Sequence, residues 1–267
     1  MGKQIHESAV IDPSAELADD VEIGPFVVIE SGVTLGRGSR VMAHAFIGRD
    51  TVVGEENVFH PGAVVGHAPQ DISTTGEEKS RVVVGDRNSF REYCTVHRGY
   101  RDGTETRIGD DCLIMATAHI AHDCKLGNRV ILAGGSLLAG HILVEDYAFI
   151  SGNVAVHQFC RIGSLAMVAG LARVSRDPPP FFLVKGDSMV YGLNIVGLQR
   201  AGLEKQERQE IRGAYKILYR KGLRLEQALA RIEAAYRDSK YVRHLVEFIR
   251  GSERGICPHH KRGAPRS

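Results

Sequence analysis

The chain has 267 residues, 43% hydrophobic and 25% charged, with 34 Lys and Arg against 32 Asp and Glu, which is the make-up of a folded protein of one large or two small domains. It contains no run of 18 apolar residues, so no transmembrane helix is expected. The start, Met1-Gly2-Lys3-Gln4-Ile5-His6, lacks an apolar signal core and the myristoylation pattern, so the expected location is the cytoplasm.

From Ile5 an aliphatic or aromatic residue recurs at every sixth position: Ile11, Leu17, Ile23, Ile29, Leu35, Val41, Ile47, Val53, Phe59 and Val65. A second series runs from Ile108 in the same steps to Val174. Two residues before these positions the side chains are nearly all small or β-branched, as in Ala9, Val21, Ser39, Thr51 and Ala63, and glycine often follows, as in Ile23-Gly24 and Ile47-Gly48. A period of six fits neither a helix nor a sandwich strand. It is the hexapeptide signature of a parallel β-helix, with three repeats to a triangular coil. Residues 18 apart then stack on one edge at about 4.8 Å per coil, and glycine is expected where the backbone turns sharply.

The phase slips between Val65 and Val84, so the polar, turn-rich stretch around His67–Gly76 is expected to leave the prism as a loop, with a second excursion at Gly99–Arg107. Asp177-Pro178-Pro179-Pro180 is expected to end the solenoid, because proline cannot join a ladder. This divides the chain into a β-helix at 1–177 and a C-terminal α-helical domain at 178–267. In the latter, amphipathic stretches fall at about 204–221, 224–236 and 239–250. Residues 200–267 carry 17 Lys and Arg against 8 Asp and Glu, which suits an acidic partner or a solvated helix face. Cys94, Cys112, Cys124 and Cys160 occupy the small-residue position of the repeat and read as packing residues. Cys257, His259 and His260 read as part of an unstructured tail with Pro258, Gly263 and Pro265.

Four histidines point to a site. His119 and His122 lie in Ala118-His119-Ile120-Ala121-His122-Asp123-Cys124, His141 follows Gly140, and His157 precedes Gln158. The coil rule places all four on one outward edge, over roughly 10 Å. One of them could act as a general base, oriented by Asp123, with the Gly140 N–H facing a developing oxyanion. Three could instead bind a zinc ion that activates water. An outward site on a thin prism has half a pocket, and a trimer of prisms would supply the second wall.

The stretch 118–124, with Leu138-Ala139-Gly140-His141, Ala155-Val156-His157-Gln158-Phe159-Cys160, Pro69-Gln70-Asp71, Gly85-Asp86-Arg87-Asn88, Gly192-Leu193-Asn194-Ile195 and Ala214-Tyr215-Lys216, resembles the UDP-N-acetylglucosamine acyltransferases that begin lipid A synthesis. The resemblance spans nearly the whole chain. It implies a left-handed parallel β-helix, a homotrimer, no metal and no cofactor beyond the phosphopantetheine of acyl carrier protein. It also implies that His122 is the base for attack of the sugar 3-hydroxyl on an acyl thioester, with Asp123 and Gly140 as its helpers. Gln70, Asp71, Ser73, His119, His141 and His157 would hold the sugar, and Gln158, Asn194 and Arg200 the nucleotide or the pantetheine arm. Gly170 would measure acyl length. The partners implied are acyl carrier protein, which is acidic, and a UDP-amino sugar, with no nucleic acid.

Two departures concern the acceptor. Relatives commonly place a Lys where Ser73 stands, and Gly186–Gly192 is about one residue shorter and lacks a His often found there. A lost cation would favour a positively charged acceptor, so the 3-amino analogue of the sugar, giving an amide, is the alternative. The remaining alternatives on this fold are a zinc enzyme resembling γ-class carbonic anhydrase and a non-catalytic trimeric scaffold.

Overall fold

A computed structural model describes residues 2–260. Strands mostly of two residues build three sheets around a triangular prism, a left-handed parallel β-helix. The first face runs from Gln4–Ile5 to Met167–Val168, the second from Val10–Ile11 to Arg173–Val174, and the third from Glu16–Leu17 to Arg161–Ile162. Each strand pairs with one a coil later, so that Ile23 lies beside Val41, 18 residues on.

The period exists because the interior is a column of stacked side chains. Ile29, Leu35, Ile47, Phe59 and Val65 are at most 1% exposed, and so are Val21, Ser39, Ala45 and Thr51, two places before repeat positions. Ile5 is 45% exposed because no coil lies beneath it. Glycine after the aliphatic residue answers to close approach rather than to a sharp turn. A Cβ on Gly48 would lie 2.3 Å from the carbonyl oxygen of Gly66 in the next coil. The left-handed corner positions carry ordinary residues instead, among them Asp123, His141 and Phe159 at φ of 58°, 59° and 64°.

The first excursion comprises residues 68–80, between the strands Val64–His67 and Arg81–Val84, and the partner of Phe59 becomes Phe90. The second is shorter than the sequence suggests. The strand resumes at Glu105, and Val84 pairs with Ile108, a six-residue insertion that leaves the phase intact. Both excursions leave the prism where the second face turns into the third.

The prolines do not stop the ladder. Strand Phe182–Lys185 pairs in parallel with Met167–Val168, and Met189–Leu193 turns back on it antiparallel. What changes near position 177 is the core. The prism column ends at Val174, and a second cluster of Phe181, Phe182, Leu198, Ile211, Leu229, Leu245 and Cys257 begins. That cluster is closed by helices α1 (Ile195–Arg200), α2 (Lys205–Arg220), α3 (Leu225–Ala235) and α4 (Lys240–Arg250), of which α1 escaped the periodicity.

The tail reading is corrected up to His260. Cys257 is fully buried, its N–H donates to the Asp177 carbonyl, and the Tyr215 hydroxyl meets His259 Nε2 at 2.8 Å. Apolar packing of Ile256 and Cys257 draws the segment back on the cap. Gly263 and Pro265 lie outside the described residues. Burial pushes the thiols of Cys94 and Cys124 up to about 12 and those of Cys112 and Cys160 up to about 11, which keeps all four un-ionised. Among the described residues no helix is long and apolar enough to cross a membrane.

Helix α4 is tied to the prism by His244, whose Nε2 donates to Glu145 at 2.8 Å. The bond to Glu145 raises the His244 pKa above its usual 6.5, against the opposing effect of burial and of Arg161. A raised folded pKa gives stability that is fully present below the unfolded value and is lost as pH rises through the folded one. The melting temperature of the native chain should therefore exceed that of His244→Gln most below pH 6.5, and the gap should shrink as pH rises. An equal gap at pH 5.5 and pH 9 would show that the pair contributes no charge-dependent stability.

Candidate active site

The corner between the second and third faces collects the chemistry. His122, His141 and Gln158 follow successive second-face strands, and both excursions emerge on the same edge. Asp123 adopts the left-handed conformation at this corner, which its short polar side chain tolerates, and its carboxylate turns back on the preceding histidine. The His122 Nδ1–H donates to Asp123 Oδ2 at 2.8 Å, leaving Nε2 as the ring's acceptor. Asp123 Oδ2 also accepts the Tyr100 N–H at 2.9 Å and lies 3.8 Å from His141 Nε2. Burial pushes the Asp123 carboxyl up, but hydrogen bonds from His122, Thr104 and the Tyr100 N–H outweigh it and hold it below its usual pKa. The group next to His122 is thus a carboxylate at neutral pH.

Gly140 lies directly under the His122 ring. A Cβ there would come within 2.5 Å of Cε1 and 2.6 Å of Nε2, so glycine is required for the imidazole to occupy its place. The His141 ring meets His122 edge-on at 5.0 Å, and burial lowers its pKa. The next ring along the edge is Phe159, stacked on His141 at 4.9 Å, and not His157. His157 is exposed, with Nδ1 on the Gln158 carbonyl at 3.1 Å, because its position precedes the turn that aims Phe159 down the edge. His119 sits on the second face rather than at the corner. Its Nδ1 meets the Thr95 hydroxyl at 2.7 Å, its ring lies 5.2 Å from His97, and burial lowers its pKa. His97, 4% exposed, is pushed down to about 4 by burial and holds the Ala68 carbonyl at the root of the first loop.

In that loop Gln70, Asp71 and Ser73 are exposed at the tip, where Ser73 donates both N–H and hydroxyl to Asp71 Oδ1, at 2.8 and 2.6 Å. Two arginines grip its far side. Arg49 donates to the carbonyls of Gly76 at 2.7 Å and Glu78 at 3.2 Å, and Arg98, 4% exposed, donates to Gly76 and Gly66.

Three expected site residues lie on other corners. Gly170 follows a first-face strand, beside Gly152. Asn194 caps α1 and donates to the Leu165 carbonyl, at the turn from third face to first, and Arg200 ends that helix. Within one chain these do not join the histidines. The residues missed from sequence are Tyr100, Phe159, His97 and Arg98. The coil count could have found Phe159, which follows His141 by 18, whereas Tyr100 lies in the second excursion, outside the repeat.

His122, Asp123 and His141 also offer three donor atoms within 4.8 Å of one another. Two donors on one tetrahedral zinc ion stand roughly 3.3 Å apart. The 2.8 Å between Nδ1 and Oδ2 is shorter than that and has the length of a hydrogen bond.

The model of the family described as UDP-N-acetylglucosamine O-acyltransferase, domain 2, matches residues 177–257, and that of the bacterial transferase hexapeptide matches 105–140. An acyl-[acyl-carrier-protein]–UDP-N-acetylglucosamine O-acyltransferase of Janthinobacterium sp. is 43% identical over 94% of this chain and 98% of its own length. The corresponding protein of Thermodesulfovibrio yellowstonii is 44% identical over 95% and 99%. The chain belongs to this family of acyltransferases. The solved UDP-N-acetylglucosamine acyltransferase of Francisella novicida superposes with a TM-score of 0.93 at 38% identity, covering 97% of this chain and 95% of that one. The enzyme of Campylobacter jejuni gives 0.91 at 37% identity over 97% and 100%.

A hydrogen-bonded His–Asp pair makes a different prediction from a metal centre. Prolonged treatment with EDTA should leave turnover unchanged, while Asp123→Asn should lower it by about 10²-fold through the wrong tautomer and a lost countercharge. Loss of activity with EDTA and recovery with zinc would reverse that assignment.

Proposed function

We propose that the chain transfers a 3-hydroxyacyl group from acyl carrier protein to the 3-hydroxyl of UDP-N-acetylglucosamine, the first step of lipid A biosynthesis. The observation that carries the reading is the His122–Asp123 pair, its Nε2 uncommitted, on an edge flanked by both excursions in a chain of this family.

His122 Nε2 takes the proton of the 3-hydroxyl as that oxygen bonds to the thioester carbon. Asp123 offsets the charge of the imidazolium. The carbonyl oxygen becomes an oxyanion, to which the Gly140 N–H donates. Collapse breaks the C–S bond, and the imidazolium returns its proton to the pantetheine thiolate. No cofactor is needed beyond the donor's own phosphopantetheine arm. Gln70, Asp71, Ser73, His119, His141 and His157 hold the sugar, Gln158, Asn194 and Arg200 the nucleotide or the arm, and Gly170 limits acyl length.

Residues of one site that stand on different corners of a prism can meet only across a subunit boundary. That supports a homotrimer with clefts between parallel prisms. The exposed cations Lys205, Arg212, Lys216 and Arg220 of α2 suit an acidic carrier protein. Both substrates are soluble, which fits the cytoplasm.

The relatives' names describe O-acyl transfer, which supports the ester over the amide. Incubation with a 3-hydroxyacyl carrier protein and UDP-N-acetylglucosamine should give a monoacylated nucleotide sugar whose acyl group mild base releases. His122→Ala should lower its formation by about 10²-fold or more with the fold intact. A base-stable product would show N-acylation, and full activity in His122→Ala would remove His122 as the base.

A further inference from the structure

Among the described residues, Tyr100 alone combines these three contacts. Its N–H donates to Asp123 Oδ2 at 2.9 Å, the oxygen that also holds His122. Its ring covers the His122 ring, with centroids 5.0 Å apart and planes tilted by 34°. Its hydroxyl hydrogen-bonds the Ser73 hydroxyl, which is itself bonded to Asp71 Oδ1. One side chain therefore spans from the catalytic pair to the tip of the first excursion. Tyr100 lies in the second excursion, residues 98–104, at this corner.

The geometry demands such a link. A general base works only within hydrogen-bond reach of the proton it removes, and a misplacement of about 1 Å costs roughly 10²-fold. The base stands on the rigid prism, but the loop proposed to hold the acceptor is a 13-residue excursion whose Ile72 is wholly exposed. Arg49 and Arg98 fix the loop's far side at Gly76, and His97 fixes its root at Ala68. Neither anchor touches Gln70, Asp71 or Ser73. Among the described residues, the tip's tie to another part of the site is the Ser73–Tyr100 bond.

We propose that Tyr100 is a positioning residue that sets the distance between the acceptor-holding tip, through Ser73, and the His122–Asp123 pair. It acts through two separable parts. The hydroxyl places the acceptor. The ring and N–H place the base.

The parts can be removed one at a time, with melting curves confirming the fold. Tyr100→Phe keeps the ring and N–H, and should raise KM for the nucleotide sugar about three- to tenfold, the scale of one lost hydrogen bond, with a smaller change in kcat. Ser73→Ala should raise it similarly, and the double variant should be no worse than either single one. Tyr100→Ala uncovers the His122 ring, so kcat should fall further and the acidic limb of the kcat/KM–pH profile should move. Unchanged KM in Tyr100→Phe, or effects of Ser73→Ala and Tyr100→Phe that simply add, would overturn the proposal. The inference rests on His122 as the base, and the two fail separately. Full activity in His122→Ala removes that reading, whereas additive effects in an enzyme that still depends on His122 remove only the role of Tyr100.

Discussion

Each coil of this prism is held to the next by main-chain hydrogen bonds one register step apart, such as Ala121 N–H to the Leu138 carbonyl at 3.0 Å and Ala139 N–H to that of Val156 at 3.1 Å. Everything else depends on that register. It stacks Asp123, His141 and Phe159 at one corner in the same left-handed conformation, although they are 18 residues apart. It sets the His122 ring against Gly140 in the neighbouring coil, so that the imidazole rests on main chain. A slip of one residue would turn the inward aliphatic column outward and scatter the corner at once. Stability and catalytic geometry are thus the same constraint.

The site's electrostatics follow from its depth at that corner. Asp123 is deep enough to feel burial, yet receives enough donors to remain ionised. His97, His119 and His141 receive fewer and are held neutral by burial. A neutral His141 beside the Asp123 carboxylate offers a hydrogen-bonding group to that corner without adding positive charge.

How much of this was legible from residues alone can be seen element by element. The interior column was, because each coil repeats one steric demand and the chain answers it with Ile, Leu or Val every sixth residue. The edge of His122 and His141 was legible by the same count. Phe159 was within reach of that count, 18 residues after His141, but its stacking on that ring shows only in the structure. Tyr100 was hidden because it lies in an insertion, where the period says nothing about direction. The strand after Pro178–Pro180 was missed because only one face continues there, too short a stretch for any periodicity. Cys257 and His259 looked like tail because their partners, Asp177 and Tyr215, lie far away in sequence.

The central claim is that the histidine corner of one prism is completed by residues from a different corner of its neighbour. Co-assembly of two impaired variants, His122→Ala and Arg200→Ala, tests it most directly. In trimers assembled at random from equal amounts, about a quarter of the clefts would bring an intact His122 to an intact Arg200 from the next subunit. The account predicts activity in the mixture well above that of either parent, approaching that fraction of the native value. Mixed trimers, verified by mass, with no more activity than their parents would contradict it.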